Sequence, residues 1–338
     1  MGPAPRASLL FAVLLVACAK DRNVAPEEVD EPYAVVMPAN APVLPVPEGN
    51  EPTVARVTLG RALFFDARLS LGKGISCASC HFSDRAFSDT AALSAGAEGA
   101  LGLRNAPSLA NVAYHPAYFR DGGIPTLEQQ VLAPIQTENE MASNIADVAT
   151  LLHADEHYAS LSRIAYDREL DPFVITRAIA CYERTLVSGW SRYDRFVQGD
   201  QLALSGSERR GWELFNSAQT GCTNCHGGFD LSDHSYRNIG TSLDHSLDPE
   251  RERITLDPAD RGKFKVPTLR NVALTGPYMH DGSMGTLEEV IGHFASGGSA
   301  DPNKDPLIHP LALTVEDKSD LAAFLRALTD DRSLDRIP

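Results

Sequence analysis

Apolar residues along the chain recur mostly at three- and four-residue spacing, and strict alternation is scarce. Val174, Ile175, Ala178, Ile179, Tyr182 and Leu186 share one face of a predicted helix. Leu321, Phe324, Leu325 and Leu328 share the face of another, capped by Thr314. Thr126-x-x-Gln129, Ser205-x-x-Glu208 and Thr286-x-x-Glu289 are capping-box patterns, each at the start of a helix. The pattern predicts a mainly α fold. Residues 19–55 break it: seven prolines from Pro26 to Pro52 and the acidic group Glu27, Glu28, Asp30 and Glu31 predict a flexible Pro-rich tether.

An internal repeat organises the remainder. Arg104 to Glu128 reads RNAPSLANVAYHPAYFRDGGIPTLE, and Phe264 to Glu288 reads FKVPTLRNVALTGPYMHDGSMGTLE. Pro107 matches Pro267, Asn111 matches Asn271, Tyr118 matches Tyr278, and Asp121-Gly122 matches Asp281-Gly282, all at one constant offset. Such duplication implies two related domains. The boundary is placed near Gln198 to Ser205, giving an N-terminal unit over 56–200 and a C-terminal unit over 201–338.

Composition narrows the partners. The chain has 338 residues, 43% of them hydrophobic, and a formal net charge of −15. That charge repels phosphate backbones, so nucleic acid is not an expected partner, whereas a basic docking protein is. At the N-terminus, Arg6 precedes the apolar run Ala7 to Ala17, which is too short to span a bilayer. Leu15-Val16-Ala17-Cys18 follows and resembles a bacterial lipobox. Residues 1–18 are therefore expected to be a lipoprotein signal peptide. Cys18 would be lipidated and would hold an exported, periplasm-facing protein at a membrane by its lipid alone; the alternative is an ordinary export signal.

Four of the six cysteines lie in two CxxCH motifs, Cys77-Ala78-Ser79-Cys80-His81 and Cys222-Thr223-Asn224-Cys225-His226. Two thiols at that spacing add to the two vinyl groups on one porphyrin edge, and the adjacent His projects beneath the ring onto the iron. Two covalently bound haems c are expected, with His81 and His226 as proximal ligands. A dithiol or half a zinc site explains the cysteines but not a His directly after both pairs. Cys181, left over in Ile179-Ala180-Cys181-Tyr182, is expected to be a buried small hydrophobe.

Over residues 55–330 the chain resembles the bacterial di-haem cytochrome c peroxidase and MauG family. The resemblance rests on Leu59-Gly60-Arg61-Ala62-Leu63-Phe64-Phe65-Asp66, the two haem motifs, Arg104-Asn105-Ala106-Pro107, Asp121-Gly122 and Glu140-Met141. It continues in Pro267-Thr268-Leu269-Arg270-Asn271 and Pro277-Tyr278-Met279-His280-Asp281-Gly282. It implies two cytochrome c-like domains. The N-terminal haem would meet peroxide and the C-terminal haem would receive electrons. Gln130 and Glu140 fall where the family places its distal amide and carboxylate. A carboxylate there takes a proton from peroxide and returns it to the departing oxygen. Asn105, Thr275 and Pro277 match the family's inter-domain calcium ligands, oxygen donors suited to a hard cation.

Three positions depart from the family pattern. Phe82 to Gly102 contains no His, so the first haem is expected to be open without reductive activation. Arg120 stands where the family usually has a Trp between the haems, and a propionate would be a suitable partner for its guanidinium. Phe294 stands where the second haem's distal ligand, Met or Tyr, is expected; His293, Met279 or Met284 would have to substitute, or the position is open. The resemblance implies reduction of hydrogen peroxide to water with electrons from a cytochrome c or cupredoxin. The alternatives are a MauG-like oxidase that modifies a partner protein, and a non-enzymatic di-haem electron carrier. Oligomeric state is left open, with a homodimer the arrangement the resemblance suggests.

Overall fold

The computed structural model describes residues 1–2, 30–246 and 248–336. Residues 3–18 of the expected signal peptide, Cys18 among them, lie outside the described residues. Ten α-helices carry the fold among them. The first five are α1 (Val54–Phe64), α2 (Leu127–Gln136), α3 (Ile145–His153), α4 (Glu156–Tyr166) and α5 (Pro172–Glu183). They are followed by α6 (Arg192–Val197), α7 (Gly206–Phe215), α8 (Glu252–Thr255), α9 (Leu287–Ser296) and α10 (Val315–Arg326). Two short strands, β1 (Tyr236–Arg237) and β2 (Phe264–Lys265), pair antiparallel. The fold is mainly helical, as the apolar spacing predicts.

The helix starts follow their caps. Ser205 and Glu208 form a reciprocal box at α7, as do Thr286 and Glu289 at α9 and Thr314 and Asp317 at α10. At α2 the Thr126 side chain accepts from the Gln129 N–H. Asp171 caps α5, and Pro172 fills the first helical position, where no N–H is needed.

Two cores form around two helix crossings of the same design. In the first half α1 crosses α5, and a Cβ on Gly60 would collide with the Ala178 carbonyl oxygen. In the second half α7 crosses α10, and a Cβ on Gly211 would collide with the Asp320 carbonyl oxygen. Glycine is required at both because the backbones touch there. Beside each crossing an aromatic pair is buried: Phe64 against Tyr182 at 5.3 Å and Phe215 against Phe324 at 5.2 Å.

The sequence repeat has the same geometry in both copies. Asn111 and Asn271 both adopt left-handed backbone and open a short 3₁₀ turn. Both side chains converge on Ser188: Asn111 Oδ1 accepts from the Ser188 N–H at 2.8 Å, and Asn271 Nδ2 donates to Ser188 Oγ at 3.0 Å. Tyr118 bridges to Ile124 as Tyr278 bridges to Met284, each through an N–H···O bond of 2.7 Å.

Packing shifts two of the boundaries expected from sequence. Helix α6, expected in the first half, joins the second: Tyr193 packs on Phe324, and Asp194 forms a fully buried pair with Arg270 at 2.9 Å. The segment expected as a tether up to residue 55 lies, from Asp30 onward, against the first core. Tyr33 donates to the Pro52 carbonyl at 2.9 Å, and the buried Asn50 amide reaches Glu128 at 2.8 Å. Its prolines dispense with hydrogen bonds they could not donate. At the other end the chain returns across the halves. Arg61 grips Asp335 at 2.8 Å and Leu334 enters the first core. Cys181 is fully buried, as expected.

Candidate functional site

Each CxxCH segment folds into a tight 3₁₀ turn, Cys77–Ser79 and Cys222–Asn224. The His that follows is tied back by its own N–H, which donates to the Cys77 carbonyl at 3.0 Å and to the Cys222 carbonyl at 2.9 Å. His81 Nδ1–H donates to the Phe87 carbonyl at 2.7 Å, and His226 Nδ1–H donates to the Leu231 carbonyl at 3.0 Å. This fixes the tautomer and leaves each Nε2 lone pair for iron. Phe87 and Leu231 both hold left-handed backbone, at φ 59° and 50°. Neither residue type favours that region, so strain is held where the accepting carbonyl must be aimed.

Burial pushes both imidazoles below their ordinary pKa, with the accepting carbonyls pushing back, so both are neutral and able to ligate. All four motif cysteines are free, and burial pushes their thiols up. A cavity of about 770 Å³ opens beside Cys77, Cys80 and His81. It runs past Arg104 and Asn105 to Pro277, Tyr278 and Met279 of the second half. Its volume lies within the range of cofactor sites. Free thiols, an oriented neutral imidazole and a cavity of that size fit a covalently held haem.

Gln130 and Glu140, expected as distal groups, line this same cavity. Gln130 lies on α2, whose Pro134 also faces the cavity. Glu140 follows that helix and is fixed by its backbone: its N–H donates to Thr137 at 3.0 Å, and its carbonyl accepts from Ala97 at 2.6 Å. Burial alone raises the Glu140 carboxyl above its ordinary pKa, and no charge partner offsets this. A carboxyl poised upward in a cavity is suited to both taking and giving a proton.

Other sequence expectations fare differently. Met279 lines the cavity, whereas Met284 and His293 do not. His293 Nε2–H donates to the Ile239 carbonyl at 2.9 Å, which leaves its Nδ1 lone pair; Met284 closes the turn to Tyr278 with its backbone. The cavity is lined by neither His226 nor Cys222 and Cys225, so it does not choose among Met279, Met284 and His293 for the second haem. Asn105, Thr275 and Pro277 all line the cavity, but both Asn105 oxygens are taken. Arg120 Nε donates to the Asn105 backbone carbonyl at 2.9 Å, and its Nη2 donates to Asn105 Oδ1 at 2.7 Å. Asn105 as placed therefore does not fit the calcium expected from the resemblance.

Charged groups missed by sequence reasoning also surround the cavity. Glu183, on α5, is buried with Oε2 unpartnered, and burial pushes its carboxyl up to about 8. A carboxylate beside the apolar face of a predicted helix was the available signal. Asp121 is fully buried and bonded to Arg104 at 2.7 Å and to Arg253 at 2.5 Å, while Arg104 also holds Asp248 at 2.5 Å. Burial alone would raise the Asp121 carboxyl, but the two guanidiniums more than offset it and hold it low. His115, Asp230 and His234 bring their ligand-type atoms within 4.8 Å of one another. Lys265 Nζ already faces His115 at 3.4 Å and donates to the Ala117 carbonyl at 2.6 Å. No helix among the described residues is long and apolar enough to cross a membrane.

Comparison with known proteins shows the family. The sequence profile of the di-haem cytochrome c peroxidases matches residues 54–202. The methylamine utilization protein MauG of Methylorubrum extorquens is 35% identical, over 87% of this chain and 84% of that protein. The cytochrome c551 peroxidase of Nitrosomonas europaea is also 35% identical, over 90% of this chain and 89% of that protein. The crystal structure of a MauG-like protein associated with microbial copper homeostasis superposes with a TM-score of 0.85 at 34% identity, covering 90% of this chain and 97% of that one.

Proposed function

The chain belongs to the di-haem cytochrome c peroxidase and MauG family, and from that premise we propose that it reduces hydrogen peroxide to water with electrons from a small redox protein, a cytochrome c or cupredoxin. The observation that carries this reading is Glu140. It is a half-buried carboxyl with raised pKa and no cationic partner, on the wall of the cavity that also holds Cys77, Cys80 and His81. A haem c bound there supplies the iron at which peroxide is reduced and the route by which electrons arrive.

The two halves are two cytochrome c-like domains on this reading, each attaching one haem, through Cys77 and Cys80 in the first and Cys222 and Cys225 in the second. In the first, His81 Nε2 offers the proximal lone pair. Glu140, when ionised, accepts a proton from the near oxygen of peroxide and returns it to the far oxygen as that departs. Gln130 donates a hydrogen bond that orients peroxide beside Glu140. In the second, His226 would offer the equivalent ligand, with Met279, Met284 and His293 as the candidates for a further one. Two electrons and two protons balance the reduction of one peroxide to two waters. The protein works exported and periplasm-facing, anchored through a lipid on Cys18; a homodimer is checked separately by light scattering.

The test is donor stoichiometry. The haem-loaded protein is mixed with peroxide and a reduced small cytochrome c or cupredoxin. Two one-electron donors oxidised per peroxide support the peroxidase. The oxidase reading has its own support, since the stretch Phe82 to Gly102 lacks a His; there peroxide is consumed, the donor stays reduced, and a partner protein is modified. Absence of any peroxide consumption would leave a carrier and reject the proposal.

A further inference from the structure

Arg120 is a half-buried cation on the cavity wall with unusual company. Among the described residues it has no ion pair within 4.0 Å, and its hydrogen bonds run to Asn105 alone, at 2.9 Å and 2.7 Å. Here two neutral oxygens receive it, one backbone and one side chain, which is the donor set a hard cation takes. Asn105 cannot turn away. Its amide Nδ2 donates to the Ala91 carbonyl at 3.2 Å, so Oδ1 must face Arg120. Its backbone N–H donates to the His280 carbonyl of the second half at 2.8 Å. Arg120 and its two oxygens thus sit on a direct link between the halves. The next positive charge at the seam, Arg104, is committed to Asp121 and Asp248.

We propose that the Arg120 guanidinium is the permanent cation of this seam, occupying the oxygen cradle of Asn105 in place of a calcium ion, so that the two halves are joined without metal. Its planar fork spans two oxygens at once, which a single indole N–H at position 120 could not do. An aromatic residue there would leave the cradle open to a divalent ion, whereas Arg120 closes it with a cation that is part of the chain, through two hydrogen bonds. The charge supplied is one unit rather than two, and it can be neither chelated nor washed away.

The test uses the full-length, haem-loaded protein and reads metal content and haem spectra, so it is separate from any outcome of peroxide turnover. After washing with EGTA, the native protein is expected to hold no stoichiometric calcium by mass spectrometry, and its haem absorption and spin-state signals stay unchanged by EGTA or by added calcium. Arg120→Ala opens the cradle, and its spectra are expected to respond to calcium with a Kd on the order of 10⁻⁴–10⁻³ M, as for weakly charged sites. Arg120→Lys keeps a cation and remains indifferent. Stoichiometric calcium in the native protein, or native spectra that change with EGTA, would overturn the proposal even if no variant folded. A folded two-haem Arg120→Ala protein blind to calcium would overturn it as well.

Discussion

Glu140→Gln separates chemistry from stability. The substitution keeps the side chain's shape, and the backbone bonds that hold the residue, Thr137 to its N–H and Ala97 to its carbonyl, are unaffected. What it removes is a titratable proton. General acid–base groups of this kind contribute about 10²–10⁴-fold in rate, which is about 3–5 kcal/mol of barrier at 1.36 kcal/mol per decade. Peroxide turnover should fall by that factor. Stability should move the other way. The folded carboxyl is raised by burial alone, so the neutral acid is the form the fold tolerates. The stability linked to this group is fully present below its unfolded pKa and is lost as pH rises through the folded pKa. Above that pH the native protein carries a buried charge that Gln lacks, so melting at neutral pH should be level or higher in the variant. A base must be ionised to act. The native rate should therefore fall as pH drops through the raised Glu140 pKa, and the variant should lose that limb. The assays are steady-state peroxide reduction over pH and thermal melting of the same samples. Unchanged turnover, or lost turnover with a collapsed melting temperature, would refute an acid–base role.

Three further outcomes are expected. Asp194→Ala strands the buried Arg270 guanidinium, which it binds at 2.9 and 3.0 Å; denaturant unfolding should show a loss of about 3–5 kcal/mol. Glu183 is raised by burial to about 8, so native stability should decline as pH rises from the ordinary carboxylate range through about 8, while Glu183→Gln flattens that slope in melting scans. Cys222→Ala with Cys225→Ala should halve the denatured reduced haemochrome signal per chain, since only Cys77 and Cys80 remain to attach haem.

What could be read from sequence was whatever a local rule writes into a few residues. The helix starts at Ser205, Thr286 and Thr314 were legible because an N-cap and its partner lie three residues apart. The duplication was legible because its turns demand particular residues: Asn at 111 and 271 and Gly at 122 and 282 sit where the backbone is left-handed. The packing of helix α6 on the second half has no local signal, because it depends on Arg270 and Phe324, far away in the chain. The aiming of the His81 and His226 rings was invisible, since Phe87 and Leu231 carry no signal for left-handed backbone. Arg120 was read as a departure from an aromatic position. Only its distance to both Asn105 oxygens reveals that it competes with a cation.

The central claim is that the His81 half is ready for peroxide in the fully oxidised protein, with Glu140 in place and no His in the following loop to block the iron. It is tested most directly by mixing the as-isolated, fully oxidised protein with peroxide and a reduced donor and following donor oxidation from the first turnover. Donor oxidation that starts at its full rate, with no lag and no gain from pre-reduction, is the result expected. A lag abolished by prior reduction of one haem, or no oxidation at all, would contradict the account.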